Sequence, residues 1–213
     1  LHLSNNELDG DNVKYQSQGL KINTYHKSKL VPGAEKMPFQ DVLFPILGNQ
    51  ILKIGNSTSL GNFSSQDSVS LFNATPILFD STSNPLQYSI APIICYESIY
   101  GNYVRKFVQK GAQAIFIITN DGWWKQTSGY KQHSMYAKLR AIETRRYIAR
   151  SANTGISSII NPLGRIEHKI DWDTRDVISA SILLNNDKTF YTKYGDYLGR
   201  VASLLSIFIF LLY

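Results

Sequence analysis

The sequence predicts an α/β fold, a mixed β-sheet with helices packed on it. Three observations carry this expectation. Apolar runs at 89–94 and 112–119 have the length and branched content of strands. Between them, 97–109 repeats its apolar residues near a 3.6 period, as a helix does. Further on, Asn161-Pro162-Leu163-Gly164 separates two short strand-like runs, as a hairpin turn does.

In chain order, residues 1–24 begin polar and turn-rich (SNNELDGDN) and become strand-like. Residues 25–39 form a loop with two prolines, and 46–70, rich in Gly, Asn and Ser, read as a surface loop with short strands, a lid by composition. The strand at 89–94 runs straight into Cys95. The helix 97–109 places Ile99, Tyr103, Phe107 and Val108 on one face and closes at Gly111. The strand at 112–119 is continuously apolar, the pattern of a strand buried on both faces. A loop at 120–129 (NDGWWKQTSG) follows its C-terminal end. A second helix, 131–146, sets Met135, Leu139 and Ile142 on one face. Strands at 147–151 and 156–160 follow, then the hairpin turn, a return strand from Arg165, and a last strand at 177–184.

Reactive residues of such sheets gather at the C-terminal ends of strands. Cys95 and the 120–129 loop both stand at strand ends, side by side if the two strands are neighbours. A lone Cys ending an apolar strand is commonly a small buried apolar residue. Its place at a sharp strand-to-helix junction also suits a thiolate, because helix N-terminal amides favour one. Glu97 falls in the first helical turn, where complementarity to the helix dipole would alone explain it. Lys27 and Glu35 flank KLVPGAE, where no spacing rule selects them. His26 and His133 sit among polar neighbours, and nothing in the sequence brings either to Cys95. Trp123 and Trp124 stand in a Gly-flanked loop, a common context for a binding surface or for a cap on the core edge.

The bulk properties narrow the function less. The 213 residues carry a net charge of +6 with pI about 9.3, and the basic residues are scattered, apart from Arg140, Arg145, Arg146 and Arg150. No zinc-finger spacing or other nucleic-acid motif is visible, so nucleic acid ranks last among partners. With one Cys, no intrachain disulfide can form. Residues 201–213 (VASLLSIFIFLLY) are apolar and uncharged, and read as the start of a transmembrane helix.

Together these segments resemble the nitrilase, or carbon–nitrogen hydrolase, superfamily, and within it most nearly the membrane-tethered apolipoprotein N-acyltransferases. YHKSKLVPGAEKMPF resembles the lysine loop, PIICYES the nucleophile segment, TNDGWW with QHSMYAKLRAIETRRYIARSANTG the segment that follows, and YTKYGDYLGR the junction to a last membrane helix. The resemblance implies a partial α-β-β-α sandwich over 1–197 that lacks its N-terminal part. The start of a C-terminal transmembrane helix would occupy 198–213. It implies Cys95 as nucleophile, Lys27 as catalytic lysine, Glu35 as auxiliary acid, and Tyr96 and Glu97 as supporting residues. Trp123, with Trp124, would line the substrate entrance. The third member of the family's Glu-Lys-Cys triad has no match before Lys27, so it is expected upstream of this sequence with most of the membrane helices.

The activity implied is acyl transfer from a phospholipid, through a thioester on Cys95, to the N-terminal diacylglyceryl-cysteine of a lipoprotein. The setting would be the bacterial inner membrane, on its periplasmic side. No metal or organic cofactor is needed, and a monomer is expected. Two alternatives stay open: a soluble nitrilase-type amidase using water as second nucleophile, and a degenerate nitrilase-like module kept for binding.

Overall fold

The computed structural model describes residues 23–32, 35, 65–74 and 88–212. The readings of 1–22 and 46–64 lie outside the described residues. Among those described, six strands form one sheet in chain order: β1 (Phe72–Ala74), β2 (Tyr88–Ile94), β3 (Ala114–Asn120), β4 (Ile148–Asn153), β5 (Ser157–Ile160) and β6 (Ile166–Ile170). The strands β2, β3 and β4 run parallel, while β1, β5 and β6 are antiparallel to their neighbours. Consecutive parallel strands require crossovers. Here these are the helices α1 (Gly101–Gln109) and α2 (Ser128–Thr144).

The core lies between the helices and one sheet face. Tyr103, Val104, Phe107 and Val108 fall on one side of α1 and are buried against Ala91, Ile93, Ile115 and Ile117 of β2 and β3. Full burial of a side chain such as Phe107 stabilises by about 1.5–3 kcal/mol. The helix ends at Gly111, whose φ of +109° only glycine adopts readily.

Four expectations change. The 97–109 helix divides into a 3-10 turn at Cys95–Ile99 and α1, so Cys95 opens a five-residue turn rather than a long helix. The strand β3 is not buried on both faces: Phe116 and Ile118 are 39% and 64% exposed, alternating with buried Ile115 and Ile117, because α1 and α2 cover one face only. On α2, Met135, Leu139 and Ile142 are exposed, and the helix buries His133, Ala137, Arg140, Ala141 and Thr144 instead. Polar partners inside the fold decide that orientation. Finally, 177–184 pairs with no strand among the described residues and is not itself a strand.

Past this segment, α3 (Phe190–Tyr194) is capped by the Thr189 hydroxyl and docks on α1, where Arg105 donates to the Thr192 carbonyl at 3.1 Å. Then α4 (Tyr197–Leu212) runs for 16 residues with every side chain exposed and Arg200 its only charge. Among the described residues no helix is long and apolar enough to cross a membrane.

Candidate active site

The strand ends meet as the pattern suggested. Parallel pairing of β2 with β3 sets Ile94 beside Ile118, so Cys95 and the Asp121–Trp124 3-10 turn leave the sheet as neighbours. Cys95 itself is half-buried and has φ +53°. A side chain in this left-handed region costs about 1–3 kcal/mol, so its surroundings must hold it there.

Glu97 is one such support. It is fully buried, and its carboxylate gathers four donors. The Ile94 N–H donates to Oε2 at 2.8 Å, bridging the strain at Cys95 from the strand side. Oε1 accepts from the Tyr25 hydroxyl at 2.8 Å and from the backbone N–H groups of Ser28 at 2.5 Å and Lys29 at 3.3 Å. Burial pushes the Tyr25 phenol far above its ordinary value, helped by the Tyr103 hydroxyl and the Glu97 charge, so Tyr25 remains a donor. Glu97 thus fastens the loop that carries Lys27 to the Cys95 turn.

On that loop, Lys27 Nζ donates to both oxygens of Glu35, at 2.8 and 2.6 Å. Glu35 Oε2 also accepts from the Val31 N–H at 2.8 Å. The side chains are 12% and 30% exposed, so the pair is sheltered but open on one side. Lys27, Glu35, Glu97 and Cys95 are therefore linked through the loop's contacts to Glu97.

A second cluster lies under the Cys95 turn. Asp121 is fully buried. Its Oδ1 meets His133 Nδ1 at 2.8 Å and the Thr119 hydroxyl at 3.1 Å, and its Oδ2 meets Arg150 Nη2 at 2.7 Å. Burial raises the Asp121 pKa, but His133 and Arg150 more than offset it and hold the carboxyl below its ordinary range. Arg150 also donates to the Ile156 carbonyl. His133 Nε2 lies 3.2 Å from both the Cys95 carbonyl and Ser98 Oγ, and Ser98 donates to that same carbonyl at 2.8 Å. His133 thus reaches the main chain of Cys95, whereas His26 is exposed and its N–H binds Gln66.

The remaining candidates are aromatic: Tyr96, Trp123 and Trp124. Tyr96 packs edge-on against Tyr100, with ring centroids 5.5 Å apart. Trp123 is 72% exposed and Trp124 40%, and Trp124 lies close over Gly129, where a Cβ would come within 2.5 Å of its ring.

The sequence model of the carbon-nitrogen hydrolases matches residues 10–187. The chain belongs to the carbon–nitrogen hydrolase family. Within the family it is similar to proteins named apolipoprotein N-acyltransferase. That from Chlorobaculum tepidum is 32% identical over 191 residues, covering 86% of this chain and 33% of that protein. That from Agrobacterium fabrum is 35% identical over 193 residues, covering 90% and 33%. The Thermotoga maritima protein is 31% identical over 205 residues, covering 94% and 37%. The chain spans about a third of the length of these relatives. Among solved structures, Saccharomyces cerevisiae Nit3, described as a nitrilase-superfamily member, aligns over 51% of this chain and 39% of its own, at 15% identity and a TM-score of 0.40. Membership of the carbon–nitrogen hydrolase family rests on the sequence matches.

Of the residues in these linked clusters, the sequence singled out Cys95, Lys27, Glu35 and Glu97. It missed Asp121, Arg150 and Ser98, and left His133 unassigned. One signal was available: His133, Ala137, Arg140, Ala141 and Thr144 share a helical face, and a polar face with two small residues is a face that can be buried by hydrogen bonding.

Proposed function

We propose that this chain is the catalytic part of an apolipoprotein N-acyltransferase. Its substrates are then a phospholipid acyl donor and a diacylglyceryl lipoprotein acceptor. The carrying observation is the joined geometry of Cys95 and the Lys27 loop: one buried carboxylate, Glu97, ties the left-handed nucleophile turn to the loop holding the Lys27–Glu35 pair. The names of the similar proteins supply the substrate class.

In this reading the Cys95 thiolate attacks the ester carbonyl of the phospholipid. The carbon–oxygen bond breaks, the lysophospholipid leaves as an alcohol with a proton, and the acyl group stays on sulfur. The lipoprotein α-amine then attacks the thioester, forming the amide and returning the thiol. Lys27 stabilises the oxyanion of each tetrahedral intermediate. Glu35 orients Lys27, and Glu97 is a positioning residue whose oxygens are already occupied. The general base is a third carboxylate, the Glu that the resemblance to the family's Glu-Lys-Cys triad implies. Trp123, Trp124 and Tyr96 form the rim over which the acyl chain enters.

The exposed apolar surface of α4 supports a membrane-inserted segment. In this reading the catalytic domain is held at the bacterial inner membrane, on its periplasmic side. Expressed with its native continuation, this segment is expected to resist carbonate extraction. The deciding experiment is mass analysis of the full-length protein in detergent after incubation with phospholipid. An acyl adduct on Cys95, lost in Cys95→Ala and discharged by a lipopeptide amine, is expected. An active Cys95→Ala protein would sink the mechanism, and hydrolysis without transfer to the amine would favour an amidase.

A further inference from the structure

We propose that His133, clamped by Asp121 and Arg150, is a positioning residue for the nucleophile: through Nε2 it fixes the Cys95 carbonyl and so holds the left-handed turn that presents the thiol. The inference rests on the reading of Cys95 as nucleophile.

The hydrogen-bond partners assign the protons. The Asp121 carboxylate can only accept at the pH where it is ionised, so the 2.8 Å contact places a proton on His133 Nδ1. Arg150 Nη2, though 3.2 Å from Nδ1, is itself a donor, and its acceptor is Asp121 Oδ2 at 2.7 Å. The single Ser98 hydroxyl proton goes to the Cys95 carbonyl, at 2.8 Å. His133 Nε2 faces two oxygens, the Cys95 carbonyl and Ser98 Oγ, each at 3.2 Å.

Nε2 and Ser98 Oγ converge on one carbonyl, that of the residue with φ +53°. All the groups below it are buried: Asp121 at 0%, Ser98 at 1%, and His133 and Arg150 at 3% exposure. Asp121 also packs directly on Gly155, in the space that a Cβ there would need, at 2.7 Å from Asp121 Cβ. The peptide after the nucleophile is held from beneath by four elements: the Cys95–Ile99 turn, the Asp121–Trp124 turn, α2 and β4. A histidine whose only purpose was to tie α2 to the sheet would need just the Asp121 contact. Its second nitrogen is aimed instead at the main chain of the reacting residue.

Two isosteres separate these roles. In His133→Gln the side-chain amide nitrogen stands where Nε2 stood and can donate to the Cys95 carbonyl. In His133→Asn it stands where Nδ1 stood, keeping the Asp121 contact and losing the carbonyl. The measurement is the rate of Cys95 alkylation by iodoacetamide in the full-length protein in detergent, read by peptide mass spectrometry, with thermal unfolding run in parallel. Misplacing a reacting group by about 1 Å can cost on the order of a hundredfold in rate. His133→Asn is expected to react about a hundredfold more slowly, and His133→Gln within about tenfold of the parent. A parent-like rate in His133→Asn, or a Gln variant as slow as the Asn variant, overturns the proposal. Should His133→Asn not fold, Ser98→Ala removes the other donor from the same carbonyl. A rate about tenfold lower, the size of one hydrogen bond, supports control through that carbonyl, and an unchanged rate overturns it. Alkylation needs no lipid. An effect on alkylation in a protein that never forms an acyl adduct would leave this inference standing and remove the acyl-transfer reading.

Discussion

Both oxygens of Glu97 are taken by donors from segments far apart in the chain, and that decides what substitution there does. In Glu97→Gln one oxygen becomes an amide nitrogen facing the Ile94 N–H, or facing the Ser28 and Lys29 N–H groups. A donor set against donors leaves buried groups unsatisfied, at about 1–3 kcal/mol each. Glu97→Gln is expected to lower stability by about 2 kcal/mol and to loosen the lysine loop, read as faster tryptic cleavage after Lys27 or Lys29. Parent-like melting and cleavage would refute the fastening role. Lys27 answers a different question. Lys27→Ala is expected to slow thioester formation by about 100–1000-fold, the usual loss for one oxyanion donor. Lys27→Arg is also expected to be poor, since a planar fork does not replace a compact ammonium. Near-normal acylation in Lys27→Ala would reject the electrostatic role.

Among the elements, α2 is the one whose orientation apolar periodicity got backwards. Met135, Leu139 and Ile142 form a regular stripe, yet they face out. What turns the helix is hydrogen bonding to the Cys95–Ile99 turn: His133 Nε2 meets the Cys95 carbonyl and Ser98 Oγ, and Arg140 Nη1 donates to the Ile99 carbonyl at 2.9 Å. Such partners lie across the fold, 35 and 41 residues away for Ser98–His133 and Ile99–Arg140, and nothing local announces them. By contrast, β2, β3, the Cys95 junction and the hairpin turn were legible, because strand length, a strand end and an Asn-Pro-Leu-Gly turn are local signals. The closing residue of α2 gives a clean test. Arg145 is exposed and left-handed, with φ +53°. The left-handed conformation costs a side-chain-bearing residue about 1–2 kcal/mol that glycine avoids. Arg145→Gly is expected to raise the midpoint of thermal unfolding, corresponding to about 0.5–1 kcal/mol after glycine's own entropy loss. A lower midpoint would show that the Arg145 side chain contributes contacts of its own.

Across the whole molecule, acid sensitivity should trace to the cluster under the active site. The Asp121 carboxyl is held below its ordinary value in the folded chain. A carboxyl whose folded pKa is depressed adds stability that is fully present above the unfolded value, about 3.9, and is lost as pH falls from there through the folded value. Asp121→Asn is therefore expected to lower stability at neutral pH and to flatten the fall in stability below about pH 4. Melting curves taken from neutral pH into that range check this, and an undiminished acid slope in the variant would assign the effect to other carboxyls.

The contacts that bring the site together also set when it can form. Ser28 reaches Glu97 across 69 residues, His133 reaches Cys95 across 38, and Arg150 reaches Asp121 across 29. Closing each of these loops costs chain entropy before any contact repays it. The strand β2 and the turn bearing Cys95 leave the ribosome well before α2 and β4 exist to support that turn. A nascent chain stalled after the Cys95 turn has emerged, but before α2 and β4 have, should be alkylated like a chain lacking the His133 and Arg150 contacts, and its alkylation rate should change only once β4 has emerged.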